Sequence, residues 1–166
     1  MSGLQRLLAR IGNLGARPRR FQLLVTRIHT RILRLAAGRI RRSFLLAGNQ
    51  PVLILTTTGR RSGTPRSTPV AYVRDGDRLA ISGANAGLDR PPAWWLNLQA
   101  DPHAEIELDG RREAVHARHA AGEEERQLRR RFIDQFAGAE ATWSLTDRDI
   151  PMVVLERSAS SAPPAG

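Results

Sequence analysis

The chain has no cysteine and no lysine; all 26 of its basic residues are arginine. Without cysteine, disulfides, thiolate nucleophiles and thiolate metal sites are excluded together, and the redox compartment is not readable. Aromatic residues make up 5% of the chain, with a single tyrosine, so there is little surface on which nucleic-acid bases could stack. No apolar window approaches the roughly 18 residues a membrane-spanning helix needs. The start, Met1 to Arg20, lacks the apolar run and small-residue cleavage site of a secretory signal, although its acid-free, Arg-rich texture is shared with organellar transit peptides. Acid is missing from all of residues 1–50, which carry 11 arginines, whereas residues 51–166 hold 15 arginines against 16 acids. The net charge of +10 therefore belongs to a leader. A basic balance confined to a leader argues against a nucleic-acid-binding face on the domain behind it.

At 166 residues the chain is one domain with an extension, long enough to bury a core. In the leader, Leu4, Leu7, Leu8 and Ile11 recur at helical spacing until Pro18. Phe21, Leu24, Val25, Ile28, Ile32 and Leu35 then form a second apolar stripe, with Arg27, Arg31 and Arg34 on its shoulder. Such a helix suits a membrane interface; it equally suits packing on its own domain with a solvated basic edge. The expectation is a cytoplasmic protein with peripheral membrane contact through residues 1–45.

From Gln50 the texture changes. Strands are expected at Val52–Thr58, Ser67–Arg74, Arg78–Ser82, Ala104–Leu108, Arg112–His119 and Pro151–Arg157, with a helix over "GEEERQLRRRFIDQF". Turns of "GRRSGTPR", "DGD" and Asp109-Gly110 join neighbouring strands. They are too short for parallel crossovers, so the pattern is a small antiparallel barrel with helical decoration, of the α+β class. Asp89 is expected to cap a helix whose first positions are Pro91 and Pro92. The domain boundaries follow as leader 1–48, barrel 49–158 and a disordered tail 159–166 rich in Ser, Ala and Pro.

One stretch, "TTTGRRSGTPRSTPV", carries more charge than a hairpin needs. Arg60, Arg61 and Arg66 around glycines could grip phosphate or carboxylate oxygens through guanidinium forks. They could equally be a solvated turn paired with nearby acids. A P-loop is excluded, because no Gly-Lys-Ser/Thr ending and no following helix are present. His29, His103, His116 and His119 are scattered, and the last two, three apart on a strand, face opposite sides; no metal site is expected. Asp147 and Asp149 read as turn and cap residues. Trp94 and Trp95 read as core before they read as a ligand platform. With no side-chain nucleophile and no metal, any chemistry here requires a borrowed cofactor, and no catalytic side chain can be named.

"LTTTGRRSGTPRSTPVAYVRDGDR", "SGANAG…PPAWWLNLQADP" and "TDRDIPMVVLER" together resemble the deazaflavin-dependent nitroreductase family, over roughly residues 50–157. The resemblance implies a split β-barrel and binding of reduced coenzyme F-420, a deazaflavin carrying a phosphate and a poly-glutamate tail. It places Arg60, Arg61 and Ser62 on the polar tail and Arg66, Ser67, Thr68, Pro69, Val70 and Ala71 along the next strand. Ser82, Gly83, Ala84 and Asn85 would form the loop around phosphate and ring, and Ala93, Trp94, Trp95, Leu96 and Asn97 the wall of the deazaflavin. The chain departs from the family where its members bring tyrosines to the substrate: Ala71 and "FAGAEATWS" stand there, and Tyr72 lies one step along on the other face. The implied activity is hydride transfer to a lipophilic, electron-poor small molecule such as a quinone, enone or nitroaromatic. Ser82, Thr68, Trp94, Trp143 and the backbone of the 83–85 loop are the available proton or hydrogen-bond donors. The rivals are a non-catalytic barrel holding a deazaflavin or lipid-like ligand, and an FMN-binding oxidoreductase on the same fold.

Overall fold

In a computed structural model, residues 42–43 and 50–158 are described, and of 42, 43 and 50 the backbone alone. The leader helices and the tail expected from the sequence lie outside the described residues.

The strands are β1 (Arg42–Ser43), β2 (Gln50–Thr58), β3 (Pro65–Asp75), β4 (Arg78–Ser82), β5 (His103–Leu108), β6 (Arg111–His119) and β7 (Met152–Arg157). The helices are α1 (Ala93–Ala100), α2 (Gly122–Gln135) and α3 (Ala139–Trp143). All strand pairs are antiparallel, in the order β1-β2-β3-β4-β7-β6-β5. Pairing of Leu55 with Ile106 and Thr57 with Ala104 joins β2 to β5 and closes the barrel. The β5–β6 loop is two residues, Asp109 and Gly110, both at positive φ (54° and 77°). That is the sign a type I′ hairpin requires, and Asp-Gly tolerates it.

Side-chain alternation divides the core in two. Leu53, Leu55, Val70, Tyr72, Ile81, Val115, Val153 and Leu155 point into the barrel, where Trp94 and Leu98 of α1 plug one end. Val73, Ala80, Met152 and Val154 point outward and are covered by Leu128 and Phe132 of α2 and by Phe136 just past its end. Leu128 and Phe132 stand four residues apart and so share one helix face. Because β7 is covered on both sides, its sequence is a continuous apolar run rather than an alternating one.

Helix α1 starts at Ala93, with Pro92 as an extended N-cap (φ −64°, ψ 147°) and no side-chain cap. The expected Asp89 cap with Pro91 and Pro92 in the first turn is therefore corrected. A residue preceding proline is pushed out of the helical region, which bars Pro91, and the helix forms only once the two prolines are passed.

Helix α2 is fastened by charge. Arg118 of β6 donates to both oxygens of Glu124 (2.6 and 2.8 Å) and to Glu156 (2.9 Å), and Arg78 of β4 reaches Glu124 at 3.0 Å. The Arg118 hydrogen bonds hold the Glu124 carboxyl below its ordinary range. A depressed carboxylate contributes stability above its unfolded pKa and loses it as pH falls through its folded pKa. Glu124→Gln should therefore cost about 1 kcal/mol at pH 7. In thermal melts from pH 7 to pH 2, the gap from the parent protein should shrink once the pH drops below about 4.3, the ordinary Glu value. A gap that is constant with pH would assign the loss to something other than this charge.

Candidate functional site

The β2–β3 hairpin, the loop leaving β4 and the start of α1 converge at one end of the barrel. The hairpin turn is wound around Gly59, whose carbonyl accepts from the Ser62 and Gly63 N–H groups (3.0 and 2.8 Å) and whose N–H donates to Thr64 O at 2.9 Å. Ser62 Oγ accepts from the Thr64 N–H at 3.3 Å, closing the turn on itself. Asn97 then ties the turn to α1: its Oδ1 accepts from the Arg60 N–H at 3.2 Å, and its Nδ2 donates to Thr57 Oγ1 at 3.0 Å. Both Asn97 and Thr57 are buried, so water cannot replace the bond between them. Asn97 therefore positions the hairpin rather than offering its amide to a ligand.

Arg60, Arg61 and Arg66 are exposed. Among the described residues no carboxylate lies within 4.0 Å of any of them, whereas Arg78, Arg118 and Arg129 all sit on acids. Glu123, Glu124 and Glu125, by contrast, are all engaged by arginines around α2. Three exposed guanidinium groups on a pinned turn, unpaired with any described carboxylate, leave a cluster of positive charge at this end of the barrel.

The residues singled out along β3 divide between the faces. Val70 lies in the barrel core, as does Tyr72, and Thr68 shares their side; Ala71 packs on the outer core. Ser67, on the outer side with Ala71, meets Thr56 hydroxyl to hydroxyl at 2.8 Å. Thr68 and Val70 can thus border an outer-face site only through their backbone. The register Tyr72↔Ile81 brings Ala71 abreast of Ser82 on the outside of the sheet. Ser82 Oγ is buried and has no hydrogen-bond partner among the described residues. An orphaned buried hydroxyl is costly, and here it lies in the segment that the sequence assigns to the ligand.

After Ser82 the chain forms the loop to α1, with a single 3-10 turn at Asn85–Gly87. Asn85 (φ 50°) and Ala86 (φ 55°) are left-handed, a conformation rare outside glycine. The glycines here accommodate protein, not ligand: a Cβ on Gly83 would meet Pro151 Cγ at 2.6 Å, and one on Gly87 would meet Thr142 O at 2.6 Å. Trp94, 7% exposed, belongs to the barrel core, while Trp95 and Leu96 keep part of their surface and Ala93 is exposed. Trp95 lies 5.5 Å from the His119 ring.

Arg148 escaped the sequence reading. Its guanidinium donates to Leu88 O (2.9 Å), Gly83 O (2.7 Å), Ala84 O (2.7 Å) and, at 3.3 Å, Asp149 O. Its one sequence signal is its place in "TDRDIP", and three of its four carbonyl partners lie 60 to 65 residues away.

Barrel, hairpin and loop together define a split β-barrel protein of the flavin-reductase kind. The family model "F420H(2)-dependent quinone reductase" matches residues 24–157, and the chain belongs to that family. The match starts within the leader, earlier than the span from residue 50 on which the sequence resemblance rests. An F420H(2)-dependent quinone reductase of Mycobacterium tuberculosis (strain H37Rv) is 35% identical over 134 residues, 79% of this chain and 89% of the relative. Among solved structures, an F420-H2 dependent reductase, FDR-A, superposes with a TM-score of 0.59 at 26% identity, covering 64% of this chain and 94% of its own. The heme storage protein HutZ of Vibrio cholerae shares the fold alone, with a TM-score of 0.51 at 12% identity, covering 78% of this chain and 89% of its own. The protein is thus an F-420-dependent oxidoreductase, and reduced F-420 is its cofactor. No described helix is long and apolar enough to cross a membrane.

Asn97 and the hairpin arginines should respond differently to mutation. Asn97→Ala strands the Thr57 hydroxyl and the Arg60 N–H and should cost about 1–3 kcal/mol. Arg60→Ala and Arg61→Ala should leave stability within about 0.5 kcal/mol, as exposed changes do. Chemical denaturation of the ligand-free proteins measures both, and a reversed order would make the arginines structural.

Proposed function

We propose that the protein reduces quinones, holding F-420 along the outer face of β3 and β4 with its anionic end on the hairpin. The carrying observation is that no described carboxylate pairs with Arg60, Arg61 or Arg66, together with the orphaned Ser82 hydroxyl farther along the sheet. These residues fit the group: a phosphate and a row of carboxylates supply the oxyanions that three guanidinium forks lack. When bound, reduced F-420 supplies the hydride. The chain's own share is to hold the ring against the β3–β4 surface, exclude water, and meet the negative charge that develops on the acceptor oxygen.

Among the side-chain donors considered from the sequence, burial in the barrel withdraws Trp94 and orientation withdraws Thr68. Trp143 packs over the outer core, with Arg129 above its ring at 5.4 Å. Ser82 remains, together with backbone N–H groups of the following loop. Tyr72 is buried inside the barrel and supplies no phenol. Quinones, whose reduced oxygens need least assistance, suit this donor set better than enones or bulky nitroaromatics.

Oxidation of reduced F-420 by menadione should therefore be nearly independent of pH between about 6 and 8, because neither a serine nor a backbone donor titrates there. A nitroimidazole should be reduced far more slowly. Arg60→Ala or Arg61→Ala should weaken F-420 binding by about 1–3 kcal/mol. A bell-shaped profile lost in His116→Ala or His119→Ala would identify a different proton donor. Tight binding without turnover of any acceptor would favour the non-catalytic reading, and preference for FMN would favour the flavin one.

The leader's sequence suits peripheral contact with a membrane, where lipophilic quinones partition. Its 11 arginines without acid should draw the protein to anionic lipid. Co-sedimentation with anionic liposomes should fall with added salt and on deletion of residues 1–45. Equal pelleting of the truncated protein would refute the contact.

A further inference from the structure

We infer that Arg148 is a positioning residue that aims the backbone donors of the 83–85 loop at the coenzyme's phosphate without touching it. The inference rests on the proposed F-420 site. Arg148 is half-buried behind the loop, and its side-chain N–H groups end on main-chain oxygens: Leu88 O, Gly83 O, Ala84 O and Asp149 O. A guanidinium has five N–H donors, so little of its capacity is left for an anion.

The consequence for the loop follows from peptide geometry. Among the described residues every peptide is trans, and in a trans peptide the N–H points away from the C=O of the same unit. Turning the Gly83 and Ala84 carbonyls onto Arg148 therefore turns the Ala84 and Asn85 N–H groups to the opposite side. Among the described residues neither N–H has an acceptor, although the neighbouring Gly83 N–H is satisfied by Pro151 O at 2.9 Å and the Gly87 N–H by Ala84 O at 3.0 Å. The unpartnered Ser82 Oγ adjoins the same two donors in sequence. A full positive charge behind the two carbonyls polarises both peptides and strengthens their N–H groups as donors. Asn85 and Ala86, between the carbonyls that Arg148 engages at Ala84 and Leu88, adopt left-handed backbone.

Titration of wild type, Arg148→Ala and Arg148→Lys with two ligands tests this: F-420, and the phosphate-free deazaflavin that lacks both phosphate and glutamates. Arg148→Ala should weaken F-420 binding by about tenfold or more, as loss of aimed donors to a charged group implies. It should leave the phosphate-free ligand within about twofold. Arg148→Lys keeps the charge but not the fork, and should fall between. Thermal melts of the ligand-free variants accompany the titrations; if Arg148→Ala does not fold, the lysine variant alone decides by the same ratio. Equal weakening of both ligands would overturn the inference and leave Arg148 a purely structural clamp. Failure of the wild type to bind F-420 would instead overturn the site reading beneath it.

Discussion

The Asn97 amide sits where water does not reach, and both of its ends are committed. One accepts from the backbone of the arginine turn, the other donates to Thr57 beneath it. A solvated hairpin with three like charges would splay and swing. Here the turn is fastened to the first helix after β4, the same helix whose Trp94 and Leu98 plug the barrel. The charged surface is thus referred to the core, and the distance between hairpin and β4 loop is set by packing rather than by a flexible linker. That is the preorganisation an anionic cofactor rewards, because no ordering remains to be done on binding.

Charge is distributed to the same end. Residues 51–166 are nearly neutral overall, but the neutrality is local. Around α2 the acids are matched to Arg78, Arg118, Arg126, Arg129 and Arg130. No described acid is matched to the hairpin. Ion pairing fixes a helix on the barrel in one place, and its absence leaves exposed positive charge in the other. In the proposed site, that charge is joined by the orphaned Ser82 hydroxyl at the end of β4 and by the loop drawn back by Arg148.

Much of the barrel was legible in the chain because local signals agreed with the global ones. Asp-Gly turns, alternating apolar positions and the unbroken β7 run each specify strands. Asp89 misled because cap chemistry was read without the constraint that one proline places on the next. Helix α3 and the Asn85–Gly87 turn were not legible at all. They are short, their apolar periodicity is minimal, and they are held by tertiary contacts, such as the carbonyl of Thr142 against Gly87. In the site, the unusual arginine content of the hairpin was visible, but whether acids quench it is a fact of three dimensions. The strand residues Thr68 and Val70 were grouped with Ser67 and Ala71 by a run of sequence, and the pleat separates them. Arg148 has carbonyl partners, which leave no side-chain signature to read.

The central claim is that this uncompensated surface is shaped for a deazaflavin with an extended anionic tail. Side-by-side titration of the ligand-free protein with F-420 and FMN, each at low and high salt, tests it most directly. F-420 should bind more tightly, and its advantage should shrink as salt screens the hairpin from the tail carboxylates. Equal or tighter binding of FMN, or an F-420 affinity indifferent to salt, would contradict the account.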